Sequence, residues 1–158
     1  MEEYVKTIFY IFIIIIFSFC LIYYSGGIEK NEVLAASNSY NTNLQLMARA
    51  INGEARGESY EGQVAVGAVI MNRVKHSDFP NTIAGVIYQS GAFTAVADGQ
   101  INEPIAEGST VLKAAQDALN GWDPTDGCIY YFNPNTATSS WIWSKTIVKT
   151  IGKHHFCK

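Results

Sequence analysis

The sequence has no excess of positive charge, and this is the first feature that limits its function. Lys and Arg together number 11, against 14 Asp and Glu, for a net charge of −3. Proteins that bind nucleic acid need a basic patch. The lysines near the C-terminus are thinly spaced, as on a solvated face: Lys145, Lys149, Lys153 and Lys158. We therefore expect no nucleic-acid partner.

The sequence also lacks the patterns that hold metals and phosphates. His76, His154 and His155 are its only histidines, and two adjacent histidines do not have the one-face spacing of a helical metal pair. No segment resembles a phosphate-binding loop. We expect no metal and no cofactor, and we interpret His154 and His155 as part of a surface tail. A nucleophilic pair of Cys128 and His154 has no local signature to support it.

A single long apolar run stands at the N-terminus. It extends from Ile8 to Tyr24 without a charge, which is at the lower limit for a transmembrane helix. The residues before it are not clearly basic, but Val33 and Ala35 in "VLAAS" offer a small-residue cleavage pattern. The run therefore predicts a cleaved signal peptide or a membrane anchor. Either one places the rest of the chain outside the cytoplasm, secreted or held at the membrane.

Cysteine is rare outside that apolar run. Cys20 lies within it, whereas Cys128 and Cys157 lie in the part predicted to be exported, where a disulfide is chemically permitted. Spacing alone does not show that two cysteines pair. An equal alternative is that both cysteines are unpaired and act as small buried apolar side chains. The sequence leaves the disulfide and this alternative open.

The remaining sequence predicts one helix-rich α+β domain. We expect a targeting segment with its linker over 1–36, and a single compact domain over 37–158. Residues 25–41 are small and polar and predict the linker. A helix is predicted from Asn41–Asn43 to Gly57, and a second over Tyr60–Lys75. The second is apolar on every side, which predicts burial, and Gly67 would let another helix approach closely. The other predicted elements are a short helix in "TIAGVIYQ", an irregular "SGAFTAVADGQINEP", a helix in "STVLKAAQDALN", a strand in "CIYYF", a loop in "NPNTATSSWIW" and a further short strand in "TIVKTIGKHHFC".

Glu54 occupies an unexpected position in the first of these helices. Met47, Ile51 and Glu54 follow each other at steps of four and three residues, so the carboxyl group lies on the apolar face. A carboxylate there is costly unless it is paired or protonated, and a desolvated carboxyl group is typical of a general acid. Gly53 and Gly57 remove bulk beside it, so that a substrate or another backbone can come close.

Two other interpretations of this segment stay open on the residues alone. Glu54 could be a buried acid neutralised by an arginine, and the candidates are Arg49, Arg56 and Arg73. Glu58 and Glu61 could supply a second carboxylate, although charges at the start of a helix are commonly exposed and suit its dipole.

Aromatic residues are concentrated in the second half of the chain. Many such side chains are core residues. Because side chains alternate along a strand, Tyr130 and Tyr131 are predicted to face opposite ways. Exposed aromatics beside Asn133 and Asn135 would suit a sugar chain, whose ring faces are apolar and whose edges form hydrogen bonds.

Several blocks of the sequence resemble the catalytic domain of the spore cortex-lytic enzyme and cell wall hydrolase family of spore-forming bacteria. They cover roughly 44–157 and are "ARAINGEARGESYEGQVAVGAVIMNRVKHSDFPNTIAGVIYQSGAFTAVADGQI", "AAQDALNGWDPTDGCIYYFNPNTATSSWIW" and "IGKHHFC". The resemblance implies a small lysozyme-like fold related to lytic transglycosylases, and peptidoglycan glycan strands as the substrate. It implies that Glu54 in "NGEARGE" is the catalytic acid. It also implies that "GAFTAV" and "YYFNP" line the groove, with Phe93, Thr94, Tyr131 and Asn133 as substrate-binding residues.

The resemblance leads to a reaction and to two rivals. The leading expectation is a lytic transglycosylase that leaves 1,6-anhydro ends, on spore cortex during germination or on the vegetative wall. One rival is a hydrolase with Glu58, Glu61 or Asp98 as its second carboxylate. The other is a non-catalytic peptidoglycan-binding or spore-assembly protein. Well-known family members carry a separate peptidoglycan-binding module before the catalytic domain, whereas this chain has only a short linker there. We therefore expect a catalytic domain that is either held at the membrane or freely secreted. A lytic enzyme outside the membrane needs timing, which makes a regulatory protein a candidate partner.

Overall fold

A computed structural model describes the backbone of residues 2–158 and the side chains of residues 4, 14–16 and 31–158. The chain forms two compact units, Met1–Tyr40 and Asn41–Lys158. Apart from residues 14–16, the side chains of the predicted targeting segment Ile8–Tyr24 lie outside the described residues. Among the residues that are described, no helix has the length and apolarity that a membrane crossing requires.

The chain contains six α-helices, one 3₁₀ turn and three strands over its described backbone. The helices are α1 Glu2–Ala55, α2 Tyr60–Lys75, α3 Ile83–Ile87, α4 Thr94–Ala97, α5 Thr110–Leu119 and α6 Ser140–Trp143, with the 3₁₀ turn at Gln100–Asn102. The strands β1 Tyr130–Phe132, β2 Ile147–Ile151 and β3 His154–Cys157 form an antiparallel sheet in the order β1-β3-β2. The predicted helix-rich α+β class is confirmed.

The predicted linker is helical in the structure. Residues 25–41 belong to α1, so Asn41–Asn43 do not begin that helix. The stretch contains no proline, and Leu34, Ala35 and Ala36 are good helix formers. Residues 31–42 are exposed, which explains why no apolar periodicity marked them as helical.

Three further differences concern short elements. The segment "NPNTATSSWIW", predicted to be a loop, ends in the four-residue helix α6. The segment predicted to be irregular contains α4 and the 3₁₀ turn, each under five residues long. The C-terminal segment contains two strands rather than one, because Gly152 adopts a positive φ of 59° and turns β2 back into β3.

Helix α2 is the centre of the core, as its apolar sequence predicted. Residues Gly62 to Ile70 are all buried, and α5 packs along the helix. A Cβ added at Gly67 would lie 2.7 Å from Ala118 Cβ and 3.1 Å from Ile51 Cδ1. The expectation that Gly67 permits a close helix approach is therefore confirmed.

Replacing Gly67 with alanine is expected to destabilise the protein. Overpacking of a core costs about 1–3 kcal/mol, and the better helix propensity of alanine returns only about 1 kcal/mol of that. Denaturant unfolding of the 158-residue chain measures the difference. Adding Ala118→Gly to the variant removes the overlapping methyl group and should recover part of the loss. A Gly67→Ala variant that is more stable than the parent would contradict this packing.

Candidate active site

Glu54 lies half-buried in the last turn of α1, with the fully buried Met47 and Ile51 on the same face. Its Oε1 accepts a hydrogen bond from the backbone N–H of Ala95 at 3.3 Å, and its Oε2 accepts one from the Tyr131 hydroxyl at 3.2 Å. The carboxyl group lines a cavity of about 270 Å³. The expected apolar-face position is therefore confirmed, and both carboxyl oxygens are held by donors from distant segments.

Gly53 is what allows the Ala95 backbone to reach Glu54. A Cβ at position 53 would overlap the Ala95 side chain, whereas one at Gly57 would meet nothing within 4 Å. The expectation that a glycine here admits another backbone holds for Gly53. Gly57 has no such role.

A methyl group at position 53 is expected to push α4 away from Glu54 and weaken the hydrogen bond from Ala95. Misplacement of a catalytic group by about 1 Å can cost about 100-fold in rate. With Glu54 as the acid that the family resemblance implies, we expect Gly53→Ala to lower the release of peptidoglycan fragments about 10- to 100-fold. Gly57→Ala is the matched control and should retain activity. Full activity of Gly53→Ala would contradict a positioning role for the 53–95 contact.

The arginines do not neutralise Glu54 by direct ion pairing. No salt bridge within 4.0 Å involves Glu54 in the described part of the chain. Arg56 donates to the Gln100 side chain at 2.7 Å, and Arg49 lines a different cavity. Arg73 lines the Glu54 cavity, but its Nε donates to the Ile129 carbonyl at 2.7 Å. The alternative of a buried ion pair is not supported by this geometry.

Arg73 instead packs among aromatic side chains next to the Glu54 cavity. The side chain is buried, with its guanidinium carbon 5.3 Å from the ring centre of Phe79, 5.6 Å from that of Phe93 and 5.8 Å from that of Tyr130. Burial lowers the pKa of the Arg73 guanidinium, and the nearby Tyr131, Tyr130 and Glu54 oppose that shift. The residue therefore supplies positive charge near Glu54 while it supports the aromatic residues around it.

Tyr131 is held as a hydrogen-bond donor. Burial raises its pKa well above the usual value, and the charge of Glu54 adds to that shift. Its hydroxyl therefore keeps its proton at neutral pH and points it at Oε2 of Glu54. Tyr130 packs on the other side with Phe132 and Cys157, so the predicted alternation of the two tyrosines is confirmed.

His154 is a site residue, and the prediction that it belongs to a surface tail is wrong. It is buried in β3, lines the Glu54 cavity, and packs edge-on against Tyr131 with ring centres 5.3 Å apart. Burial lowers its pKa, which favours a neutral imidazole. The sequence pattern that could have predicted its burial is the alternation of His154 with Phe156 along a strand. The adjacent His155 makes that alternation difficult to recognise.

The structure brings together only some of the predicted substrate-binding residues. Tyr131 and Asn133 line the Glu54 cavity, and Asn133 Oδ1 accepts from the Asn135 backbone at 2.9 Å. Phe93 is buried against Arg73, and Thr94 is exposed at the start of α4. Neither Phe93 nor Thr94 is among the residues that line this cavity.

None of the candidate second carboxylates lines the cavity among the described side chains. Glu58 accepts from the Lys153 backbone N–H at 2.9 Å and so fastens the β2–β3 turn to the start of α2. Asp98 is exposed and accepts from the backbone and side chain of Gln100 at 3.0 and 2.6 Å. Glu61 is exposed. No described residue other than Glu54 brings a carboxylate into this cavity.

A second cavity, of about 340 Å³, adjoins the Glu54 cavity. It shares Arg73, Ala92 and Tyr131 with the first cavity, and Tyr130 and Trp141 line the second cavity but not the first. We refer to the two adjoining cavities together as the groove. Its extent beyond Glu54 suits a polymeric ligand.

The two described cysteines are free and buried. Cys128 packs with Val69 and Phe156, whereas Cys157 packs with Phe132 on the opposite face of the sheet. Burial raises the pKa of the Cys128 thiol to about 11, so the thiol is a poor nucleophile at neutral pH. Within the described residues, no group of His, Cys, Asp and Glu is arranged to hold a metal ion.

Known proteins resemble this chain over most of its length. The spore cortex-lytic enzyme of Bacillus cereus is 57% identical over 130 residues, which cover 82% of this chain and 49% of that relative. The cell wall hydrolase CwlJ of Bacillus subtilis is 31% identical over 78% of this chain and 89% of its own length. The chain therefore spans about half the length of the first relative and most of the second.

A solved structure has the same fold. It is the catalytic domain of the germination-specific lytic transglycosylase SleB from Bacillus anthracis, with a TM-score of 0.70 and 60% identity over 73% of this chain and 93% of that one. The lysozyme-like fold expected from the sequence is confirmed by this match. Residues 57–157 match the profile of the Cell Wall Hydrolase family. The matched range begins after Glu54, so the role of Glu54 rests on its geometry. From the family profile and these relatives together, the chain belongs to the Cell Wall Hydrolase family.

Proposed function

We propose that this chain cleaves the bond between N-acetylmuramic acid and N-acetylglucosamine in peptidoglycan, as a lytic transglycosylase with Glu54 as its acid and base. One observation carries the proposal: among the described residues that line the groove, Glu54 is the only one with a carboxyl group, and both of its oxygens are held by donors. The relatives named as spore cortex-lytic enzymes and as a lytic transglycosylase support the same reaction.

The reaction needs a single carboxyl group because no water has to be activated. Protonated Glu54 gives its proton to the glycosidic oxygen, and the bond from that oxygen to C1 of the muramoyl residue breaks. The resulting carboxylate then takes the proton of the muramoyl 6-hydroxyl, whose oxygen closes on C1. The product carries a 1,6-anhydro end, and Glu54 is protonated again for the next strand.

The donors around Glu54 serve the charged stage of this cycle. The Ala95 N–H and the Tyr131 hydroxyl stabilise the carboxylate that forms when the proton leaves, and they fix its orientation. Proton transfer by a positioned side chain accelerates reactions by about 10²–10⁴-fold. Binding along the groove and distortion of the sugar ring supply the remainder.

The placement of the other carboxylates favours this reaction over hydrolysis. A hydrolase needs a second carboxyl group about 5–10 Å from the first, across the scissile bond. Glu58 is committed to the Lys153 backbone, and Glu61 and Asp98 are exposed. The half-buried acid with two hydrogen-bond donors also has no purpose in a protein that only binds peptidoglycan.

The location follows from the substrate. We propose that residues 37–158 act as the catalytic domain outside the cytoplasm, in the spore envelope, and that 1–36 serve as a signal peptide or membrane anchor. Spore cortex is the preferred substrate, in keeping with the relatives' names. We also propose that a regulatory protein binds this chain and limits lysis to germination.

Incubating the 158-residue chain with purified cortex and with vegetative peptidoglycan tests this function. We expect soluble muramoyl fragments to be released, and at a higher rate from cortex. Heat-denatured protein serves as the control for spontaneous release. A folded chain that binds both walls and releases nothing would support the binding-protein alternative instead.

A further inference from the structure

An aromatic and cationic cluster borders the part of the groove that Glu54 does not line. Trp141 is 53% exposed, and its ring meets the Tyr130 ring edge-on with centres 5.1 Å apart. Both rings line the 340 Å³ cavity. The half-exposed indole therefore offers an apolar surface to whatever occupies that cavity.

Lys145 lies over both rings. Its Nζ is 4.5 Å from the ring centre of Trp141 and 4.7 Å from that of Tyr130, distances at which a cation is attracted to an aromatic face. These contacts restrict an otherwise flexible side chain. No carboxylate forms an ion pair with Lys145 across the described residues. The ammonium group therefore lies over two rings that line the groove and has no carboxylate partner among those residues.

The cluster matches a specific part of a peptidoglycan strand. The apolar face of an N-acetylated sugar can cover Trp141, and only the muramoyl sugar carries a lactyl substituent that ends in a carboxylate or continues into a peptide with carboxylates. Resting on the proposed function, we propose that Tyr130, Trp141 and Lys145 form a subsite for a carboxylate-bearing muramoyl residue. The sugar lies against Trp141, and the carboxylate meets Lys145 Nζ.

The cluster lies in the same groove as Glu54. Tyr130 precedes Tyr131, the donor to Glu54, and the two cavities share Arg73 and Ala92. A strand held at Trp141 therefore continues past the acid. The subsite would favour a charged over a neutral muramoyl residue at a fixed distance from the cleaved bond. It would thereby select which bonds of the strand are cleaved.

Binding measurements on uncut strands test the subsite. In the 158-residue chain carrying Glu54→Gln, Kd is measured for three soluble glycan preparations: peptide-free strands with free lactyl carboxylates, the same strands with those carboxylates converted to neutral amides, and strands with intact peptides. We expect Lys145→Ala to raise Kd about fivefold for strands with carboxylates, as for a partly exposed ion pair, and to leave the amide strands unchanged. Trp141→Ala should weaken all three.

Matched variants separate this effect from general charge and from misfolding. Lys145→Arg should restore most of the affinity, and Lys113→Ala, which removes an exposed lysine on α5, should change nothing. A Lys145 effect only on the peptide-free strands with free carboxylates identifies the lactyl carboxylate. An effect only with intact peptides assigns the contact to a peptide carboxylate, and an effect on both preparations means that either carboxylate can meet Lys145. Equal Kd values for Lys145→Ala and its parent on every preparation would overturn the subsite.

The same strands distinguish failure of the subsite from failure of the proposed function. Fragment release by the chain with Glu54 intact, together with a Kd that does not depend on Lys145, would overturn the subsite alone. No release, together with a Kd that does depend on Lys145, would overturn the transglycosylase and still support the subsite.

Discussion

Replacing Glu54 with glutamine should reduce fragment release by about 10²–10⁴-fold. Glutamine keeps the shape of the side chain and can still accept from the Ala95 N–H, but it cannot give a proton to the glycosidic oxygen. The fold should be unaffected, because no ion pair depends on Glu54 in the described chain. Release rates from purified cortex, measured with equal amounts of folded protein, give the ratio.

Glu61→Gln is the control for this variant. It makes the same chemical change at an exposed position in the first turn of α2, and activity should stay close to that of the parent. If Glu54→Gln released fragments as fast as Glu61→Gln, Glu54 would not be the acid, and the function proposed for the groove would lose its main support.

Removing the Tyr131 hydroxyl should cause the second-largest loss of activity. Tyr131→Phe keeps the ring that packs against His154 and Phe156 and deletes only the donor to Oε2 of Glu54. A hydrogen bond to a charged group contributes about 1.5–3 kcal/mol. We therefore expect kcat to fall about 10- to 100-fold while KM stays nearly unchanged, because the lost donor acts on the carboxylate and not on bound sugar.

Separate measurement of kcat and KM on soluble strands checks this prediction. Tyr88→Phe, at a tyrosine that is 53% exposed, is a suitable control and should leave both constants unaltered. A loss confined to KM would mean that Tyr131 binds substrate without assisting Glu54. That result would agree with the substrate-binding role that the family resemblance implies, and it would contradict a role for the hydroxyl in stabilising the Glu54 carboxylate.

Local sequence patterns were sufficient to predict the position of the acid and the core helix. Steps of three and four residues placed Glu54 with Met47 and Ile51, and the apolar run in α2 with Gly67 indicated a buried helix with a close neighbour. Alternation along β1 separated Tyr130 from Tyr131. Each of these depends on contacts within one element or on a short period, which a single sequence displays directly.

The partners of those residues depended on distant segments and could not be derived in this way. Glu54 meets Ala95 and Tyr131, which lie 41 and 77 positions further along the chain. His154 reaches the site only because β3 pairs between β1 and β2, and Glu58 acts through a turn near the C-terminus. No local period encodes these pairings. The expected helix start at Asn41–Asn43 was wrong for a different reason, because the preceding exposed part of α1 needs no apolar face.

The most direct test of the central claim is the chemistry of the new chain end. The 158-residue chain is incubated with purified cortex in water labelled with heavy oxygen, and the soluble fragments are analysed by mass spectrometry. We predict muramoyl fragments with 1,6-anhydro ends and no label at the cleaved position, since the muramoyl 6-hydroxyl closes the ring. Reducing ends that carry the heavy oxygen would contradict the transglycosylase mechanism, because they would require an activated water in the groove.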